Sequence, residues 1–338
     1  MREGQNPARL GLAAYEPHKL GVAILSYIPS QEGYFSQSLE ILKYQLASLR
    51  QNTLEGYDLT VFDNGSCPEV QSELKNLHAQ GRIDWLVLSK HNLGKAGALN
   101  WLLAALPNQW VCYSDSDVLF RPGWFEKSLQ ILESFPRVGI VTAQPAFFDV
   151  LRQKGQAHLA LLNDPKIGCS EYKPDAWIVD EFCRSVGAPA KLTGEYHQKQ
   201  LAMVKDRDSG AQAVIGATHM QFLARLETIR QVLPLPATKA LAPEEDSQLD
   251  MRLDQAGYLH LSTPVPYVLH MGNVIDERLR QAVSELKPGL GDPERSPGAV
   301  KAKLPLGYRG LTWLAGFRRP RGWMVRLYRV LFHVLAKR

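Results

Sequence analysis

The sequence of 338 residues is poor in cysteine and contains no long apolar run, and each absence excludes a class of protein. The four cysteines form no Cys-x-x-Cys pair and no zinc-like spacing with the nine histidines, which excludes the common zinc modules. No segment reaches the roughly 18–20 apolar residues of a transmembrane helix, and residues 1–20 lack the apolar core of a secretory signal. We therefore expect a protein that remains on the cytoplasmic side of the membrane.

What is present is an ordinary globular composition with an uneven distribution of charge. Hydrophobic residues make up 45% and charged residues 22% of the chain, which is enough for a sizeable core. The net charge is +5, but residues 301–338 contain ten basic and no acidic residues, so the rest of the chain carries 29 basic against 34 acidic side chains.

The end of this basic tail has a helical pattern. In residues 318–338 the apolar residues recur at helical spacing, with basic residues between them. The pattern predicts a basic amphipathic helix that either lies in an anionic membrane surface or packs on protein, so the protein is cytoplasmic or peripheral on the inner membrane face. Nucleic acid is not expected as a partner, because the basic residues are confined to this tail.

Strand-like and helix-like segments alternate in the first part of the chain. Residues 20–27, 58–62 and 83–88 are short, apolar, β-prone runs. Four leucines that recur every three or four residues predict a helix over residues 36–52, and residues 69–80 can form the next helix. This alternation predicts an α/β fold with a Rossmann-like, mostly parallel central sheet flanked by helices.

Polar side chains follow the ends of these predicted strands. Asp63 ends the second strand, and Lys95 lies in a glycine-containing loop after the third. Asp115 and Asp117 end a fourth apolar, β-prone run, residues 110–117. Ligands bind at the carboxyl ends of parallel strands, so we expect these side chains to form one site. Two carboxylates separated by one residue suit a divalent cation that keeps open positions for phosphate oxygens. Each residue also has a simpler explanation, the aspartates in turns and the lysine as a solvated surface residue.

Taken in order along the chain, seven motifs resemble the family-two nucleotide-sugar glycosyltransferases over roughly residues 19–275. The motifs are LGVAILSY, FDNGS, HNLGKAGALN, YSDSD, GATHMQFLARLETI, EEDSQLDMRLDQAGY and HMGN. The resemblance implies an A-type glycosyltransferase fold, a divalent cation (Mn²⁺ or Mg²⁺) and inverting transfer of a sugar from a nucleoside-diphosphate sugar to an acceptor hydroxyl. A saccharide or lipid-linked acceptor and a role in glycan or glycolipid biosynthesis are the expectations that follow.

The same resemblance implies roles for the residues of the donor side. Asp117 is expected to be the principal metal ligand, Asp115 to contact the ribose or the metal, and Asp63 to bind the nucleotide base. Lys95 is expected to approach the diphosphate, because a flexible cation and free amide groups can meet it there. His270 follows a short apolar run and is expected to complete the metal ligands, although a purely structural role is equally open. Imidazole suits Mn²⁺ better than Mg²⁺.

Further positions complete the expected site. Asn100, one or two turns into the helix after the glycine-containing loop, either faces the donor cleft or only caps or decorates its helix. Matching the sequence EED to the family's acidic pair places the catalytic base at Asp246, with Glu245 as a neighbour that orients it. A base is needed because sugar hydroxyls are poor nucleophiles at neutral pH. Acidic residues are also favoured at a helix N-terminus, so a purely structural role stays open for this cluster.

These expectations divide the chain into four parts. They are an N-terminal extension (1–18), a nucleotide-sugar-binding half (19–143), an acceptor-binding half with a variable insertion (144–275) and a C-terminal extension with the basic helix (276–338). Residues 144–213 fit the family pattern least well, and we expect them either to recognise the acceptor or to be a variable surface insertion.

Two other functions compete with this interpretation. A sugar-nucleotide nucleotidylyltransferase would be expected to carry a Gly-rich, basic loop after the first strand, whereas residues 29–34 contain neither Lys nor Arg. The second alternative is a non-catalytic glycan- or nucleotide-binding protein on the same fold.

Overall fold

Strands and helices alternate through the first part of the chain, as the apolar pattern predicts. The computed structural model describes residues 15–147, 156–236, 248–284 and 286, and those from Pro17 onwards belong to one unit, Pro17–Asp292. The first elements are β1 (Leu20–Ser26), α1 (Ser38–Asn52), β2 (Tyr57–Asp63), α2 (Pro68–Ala79), β3 (Trp85–Leu88), α3 (Gly94–Ala105) and β4 (Trp110–Asp115).

The second part of the chain adds shorter strands and helices to the same unit. They are β5 (Val118–Phe120), α4 (Trp124–Ser134), β6 (Val138–Thr142), α5 (Gln156–Leu162), β7 (Ile167–Tyr172), α6 (Ala176–Ser185), α7 (Ala190–Gln198), β8 (Leu201–Asp206), β9 (Gln212–Ile215), β10 (Gln221–Arg225), α8 (Leu226–Val232), α9 (Gln248–Gln255), β11 (Leu259–Ser262), β12 (Val268–His270) and α10 (Glu277–Ser284).

Ten of the strands form one mixed sheet in the order β3-β2-β1-β4-β10-β6-β11-β9-β8-β7. The pairs β3-β2, β2-β1, β1-β4 and β6-β11 are parallel, whereas β10 is antiparallel to both of its neighbours. Strands β9, β8 and β7 extend the sheet by antiparallel pairing. Strands β1, β2, β3, β4, β6, β8 and β11 point in one direction and the other three in the opposite one. The prediction of a mostly parallel central sheet is therefore confirmed.

Helices cover both faces of the sheet, because the central strands bury side chains on both sides. Every residue of β1 is buried. On one face, Val22 belongs to a core cluster with Leu42 of α1 and Leu74 of α2. On the other face, Ala23 belongs to a second cluster with residues of α3 and α8. This arrangement leaves the carboxyl ends of β1, β2 and β4 at one edge of the layer, where the polar residues follow.

Strands β5 and β12 form a separate two-stranded antiparallel ribbon, in which Val118 pairs with His270. The ribbon begins directly after β4 and joins residues that are far apart in the sequence. Among the described residues, no helix combines the length and the apolar character that crossing a membrane requires.

Candidate active site

The ribbon brings Asp117 and His270 together at the carboxyl end of β4. The Asp117 carbonyl oxygen accepts a hydrogen bond of 2.7 Å from the amide of Met271, which fixes the two backbones side by side. The distance between His270 Nε2 and Asp117 Oδ2 is 3.1 Å. Both side chains are only partly exposed, by 24% for the histidine and 31% for the aspartate, so one edge of the pair can meet a ligand.

The other ring nitrogen of His270 faces the protein. Nδ1 lies 3.1 Å from the carbonyl oxygen of Ser185, the last residue of α6. Burial acts to lower the pKa of His270, but the hydrogen bond and the charge of Asp117 outweigh it, so that this pKa is raised. Without a competing ligand, the imidazole is therefore held as a proton donor to the carboxylate.

This pair fits a divalent cation. Asp117 Oδ1 is buried and has no hydrogen-bond partner among the described residues, which leaves a carboxylate oxygen for another ligand. Neighbouring ligands of an octahedral ion with bonds of about 2.1 Å lie about 3 Å apart, close to the Asp117–His270 distance. In the described ranges no group of three or more His, Cys, Asp or Glu could hold a metal ion.

Asp115 lies beside the pair but already has protein partners. Its Oδ2 accepts a hydrogen bond of 3.1 Å from Lys95 Nζ, and its Oδ1 accepts one of 2.5 Å from the Tyr113 hydroxyl. Burial raises the pKa of Asp115, the charge of Lys95 opposes this, and the nearby charge of Asp117 adds to it. Lys95 also lies over the ring of Tyr113, with Nζ 5.6 Å from the ring centroid. The structure thus brings together four of the predicted residues, Lys95, Asp115, Asp117 and His270.

Asp63 ends β2, two strands away from β4 and therefore about 10 Å from Asp115 across the sheet. Its Oδ2 accepts hydrogen bonds from the Ser66 amide (3.1 Å) and from Gln71 Nε2 (2.9 Å). The turn expected of this aspartate is therefore present. Its Oδ1 is buried and has no hydrogen-bond partner among the described residues, so one acceptor remains for a ligand at the sheet edge.

Asn100 has a structural partner instead of a place beside the carboxylates. Its Nδ2 donates to the Leu235 carbonyl (2.9 Å), and its Oδ1 accepts from the Leu235 amide (2.6 Å). Both ends of the amide group thus hold the segment after α8 against α3. Of the two possibilities open for this residue, the contacts favour the role within the fold.

Asp246 and Glu245 lie outside the described residues, so the proposed base is known only from its place in the chain before α9. The described part of that helix carries a residue that the sequence did not single out. Asp250 is almost fully buried, and its Oδ2 lies 3.3 Å from Nδ1 of His219. The His219 carbonyl in turn lies 3.5 Å from Lys95 Nζ. Asp250 and His219 thus connect α9 with Lys95.

Two buried histidines extend this polar cluster. His260 of β11 has Nδ1 3.9 Å from Asp250 Oδ1, and its amide donates to His158 Nε2 at 3.2 Å. Burial lowers the pKa of both His158 and His260. No local pattern could have identified these residues, since isolated histidines in a strand or helix usually indicate packing. For Asp250, the sequence offered one indication, its spacing of four residues from the predicted base Asp246.

Comparison with known proteins places this site in a family context. Residues 35–184 match the model of the family described as glycosyl transferase family 2. A protein of Haemophilus influenzae, described as an uncharacterized glycosyltransferase, is 23% identical over 133 residues. That alignment covers 39% of this chain and 38% of the relative, so the chain matches well under half of the relative's length.

Solved structures of glycosyltransferases also align with the chain. The mannosyltransferase PcManGT from Pyrobaculum calidifontis, in complex with GDP-Man and Mn²⁺, is 14% identical with a TM-score of 0.44 and covers 75% of this chain and 58% of its own. S. aureus TarS 1–349 is 10% identical with a TM-score of 0.45, and the alignment covers 88% of this chain and 78% of the TarS chain. The family match, together with the mixed sheet described above, confirms the predicted A-type glycosyltransferase fold.

Proposed function

We propose that this chain, whose residues 35–184 match the model of glycosyl transferase family 2, is a metal-dependent inverting enzyme that uses a nucleoside-diphosphate sugar. The observation that carries the proposal is the Asp117–His270 pair, in which Asp117 Oδ1 is buried without a hydrogen-bond partner among the described residues. Asp115, two residues before Asp117, binds the positive charge of Lys95. A site with two oxygen or nitrogen ligands and neighbouring positive charge suits a cation that is shared with a diphosphate.

The chain's own residues give the donor three points of attachment. Asp63 offers its unpartnered Oδ1 to the nucleotide base at the end of β2. Asp115 serves the ribose or the metal. Lys95, now paired with Asp115, is close enough to exchange part of that contact for a phosphate oxygen. Asn100 is not included, because both its Nδ2 and its Oδ1 bind the backbone of Leu235.

Asp117 and His270 would hold the divalent cation. When bound, such an ion neutralises the charge that develops on the departing diphosphate, so that no protein acid is needed there. A site with one imidazole and one carboxylate favours Mn²⁺ over Mg²⁺, because Mg²⁺ prefers oxygen ligands alone.

Asp246 would act as the general base, with Glu245 orienting it. In one displacement, the acceptor hydroxyl gives its proton to Asp246 and its oxygen bonds to the anomeric carbon, while the bond from that carbon to the diphosphate oxygen breaks. The nucleoside diphosphate leaves on the opposite face, which inverts the anomeric configuration. A saccharide or lipid-linked hydroxyl is the acceptor class that we propose, in glycan or glycolipid biosynthesis.

The proposal predicts metal-dependent recognition of a donor. In thermal-shift measurements with a panel of nucleotide sugars that includes GDP-mannose and UDP-GlcNAc, we expect at least one to raise the Tm by several degrees with Mn²⁺ but not with a chelator. With that donor and a panel of p-nitrophenyl glycosides, free nucleoside diphosphate should appear.

The products distinguish this function from its alternatives. Release of pyrophosphate from a sugar phosphate and a nucleoside triphosphate would instead identify a nucleotidylyltransferase. A metal-dependent Tm shift with no product at all would identify a non-catalytic binding protein. Absence of any metal-dependent shift with every donor would contradict the proposal itself.

We also propose that residues 318–338, which lie outside the described residues, attach the enzyme to an anionic membrane surface on the cytoplasmic side. In support, these residues combine basic and apolar side chains at helical spacing. We expect the full chain to sediment with vesicles containing phosphatidylglycerol much more than with phosphatidylcholine vesicles, and less so at high salt. A chain that ends at residue 317 should lose this difference; unchanged sedimentation would refute the membrane role.

A further inference from the structure

Helix α6 lies next to the metal side of the site, although it carries none of the seven motifs of the family resemblance. The contact is the 3.1 Å approach of His270 Nδ1 to the Ser185 carbonyl. A carbonyl oxygen only accepts hydrogen bonds, so Nδ1 must carry a proton to satisfy it. When Nε2, the nitrogen that faces Asp117, gives its lone pair to a metal ion, the one proton left on the ring is therefore the one on Nδ1.

The end of α6 makes this carbonyl available. The carbonyls of Phe182, Cys183 and Arg184 accept hydrogen bonds from the amides of residues 186–188, which wrap around the helix end. The Ser185 carbonyl is the next one along and accepts from the imidazole. The C-terminal end of a helix also carries partial negative charge, which favours a proton donor at this position.

An ion pair ties α6 to the ribbon that carries the metal pair. Arg121, the residue after β5, forms two hydrogen bonds with Glu181 of α6, with distances of 2.6 Å and 3.1 Å. The Arg121 amide also donates to the Tyr267 carbonyl at 2.9 Å, just before β12. Two parallel hydrogen bonds between a guanidinium and a carboxylate restrain orientation as well as distance. Arg121 therefore links both ribbon strands to α6.

Apolar packing holds the other side of α6 in place. Phe182 stacks on Phe147 with ring centroids 4.7 Å apart, and Ile178, Val179 and Cys183 are buried in the same cluster. Beyond the helix, Gly272 has a φ of +71°, a conformation that L side chains rarely adopt, and the position of its missing Cβ lies 3.6 Å from the Ser185 carbonyl. The chain after His270 can thus turn closely past the helix end.

From these contacts we infer that α6 is a positioning element for the metal site: its Ser185 carbonyl fixes the orientation and tautomer of His270, and the Arg121–Glu181 pair holds that carbonyl in place. Histidine ligands of metals commonly donate their second ring N–H to such an acceptor, and loss of the acceptor weakens metal binding. The inference rests on the proposed metal binding at Asp117 and His270, and it gives part of residues 144–213 a role on the donor side.

The experiment measures Mn²⁺ affinity of the full chain by titration calorimetry and by the electron paramagnetic resonance signal of free Mn²⁺. We expect Glu181→Gln, which removes the charge but keeps the size of the side chain, to weaken Mn²⁺ binding about 10-fold. The matched control is Glu73→Gln, which breaks the Lys43–Glu73 pair between α1 and α2. That variant should bind Mn²⁺ within about twofold of the wild type.

A second measurement does not depend on how well the variant folds. The ¹⁵N resonances of the His270 ring, recorded on wild type with a diamagnetic divalent cation such as Zn²⁺ bound, should show the single ring proton on Nδ1. The same spectrum of Glu181→Gln should show a weaker Nδ1–H signal that exchanges faster with solvent. A metal-bound wild-type ring that carries its proton on Nε2 would overturn the inference.

The outcomes separate this inference from the proposed function. If the wild type binds Mn²⁺ and His270→Ala weakens the binding while folded Glu181→Gln does not, only the role of α6 is refuted. If the wild type binds no Mn²⁺ at all, the proposed metal dependence fails, and the role of α6 fails with it.

Discussion

Asp246→Asn is expected to lower the rate of sugar transfer by about 10³-fold, while the affinity for the metal and the donor stays within about twofold of the wild type. The amide keeps the shape of the carboxylate but cannot accept the proton of the acceptor hydroxyl. Donor binding survives because the metal pair and Asp63 lie on other elements. The measurement combines release of nucleoside diphosphate with calorimetric titration of the donor in the presence of Mn²⁺.

A matched control for this variant is Asp208→Asn. Asp208 pairs with Lys166 on the surface, where both side chains are 69% exposed, so the same chemical change should leave the transfer rate nearly unaltered. Full turnover by Asp246→Asn would show that another group accepts the proton. In that case Glu245, and then His219 with its Asp250 partner, would be the next residues to test.

Asp117→Asn is expected to weaken Mn²⁺ binding by about 100-fold or more and to abolish the metal-dependent Tm shift caused by the donor. The reason is electrostatic, since a neutral amide replaces the carboxylate that faces His270 and leaves the buried position of Oδ1 without charge. The transfer rate at fixed Mn²⁺ should fall accordingly and recover in part at high Mn²⁺. Calorimetry and the rate at increasing Mn²⁺ concentrations measure both effects.

The control for Asp117→Asn is a second histidine–aspartate pair of the same chain. Asp180 lies 2.8 Å from His197 on the surface, and Asp180→Asn should leave Mn²⁺ affinity unchanged. The two predictions also differ in kind. Asp246→Asn should reduce turnover with the donor still bound, whereas Asp117→Asn should reduce binding itself. Unchanged Mn²⁺ affinity in Asp117→Asn would remove the basis for the proposed metal site.

The parts of the fold that repeat at short range could be predicted from the sequence. The apolar spacing in α1 and the polar residues that end β2 and β4 gave their elements nearly to the residue, because burial and helical period act on neighbouring positions. The positions of these strand ends predicted that Lys95, Asp115 and Asp117 would lie close together. The extension of the sheet to ten strands by β7, β8 and β9 was not predicted, since short antiparallel strands in a polar stretch carry a weak signal.

Contacts between residues that are far apart in the sequence could not be predicted from local sequence patterns. Asn100 and Leu235 are 135 positions apart, and nothing in either local sequence indicates that an amide will bind a backbone segment there. The same holds for Ser185 and His270, which are 85 positions apart. Such pairs depend on how finished elements pack, so the role of a single asparagine or carbonyl emerges only with the tertiary structure.

The register of the two-stranded ribbon decides whether Asp117 and His270 lie side by side. Asp117 faces His270 because Val118 pairs with that histidine, and a slip of one residue would turn the imidazole to the opposite face of β12. The ten-stranded sheet shares no strand with this ribbon. One inserted residue near His270 would therefore separate the Asp117–His270 pair without changing the strand pairing of the ten-stranded sheet, so the proposed metal site depends on a register that this sheet does not set.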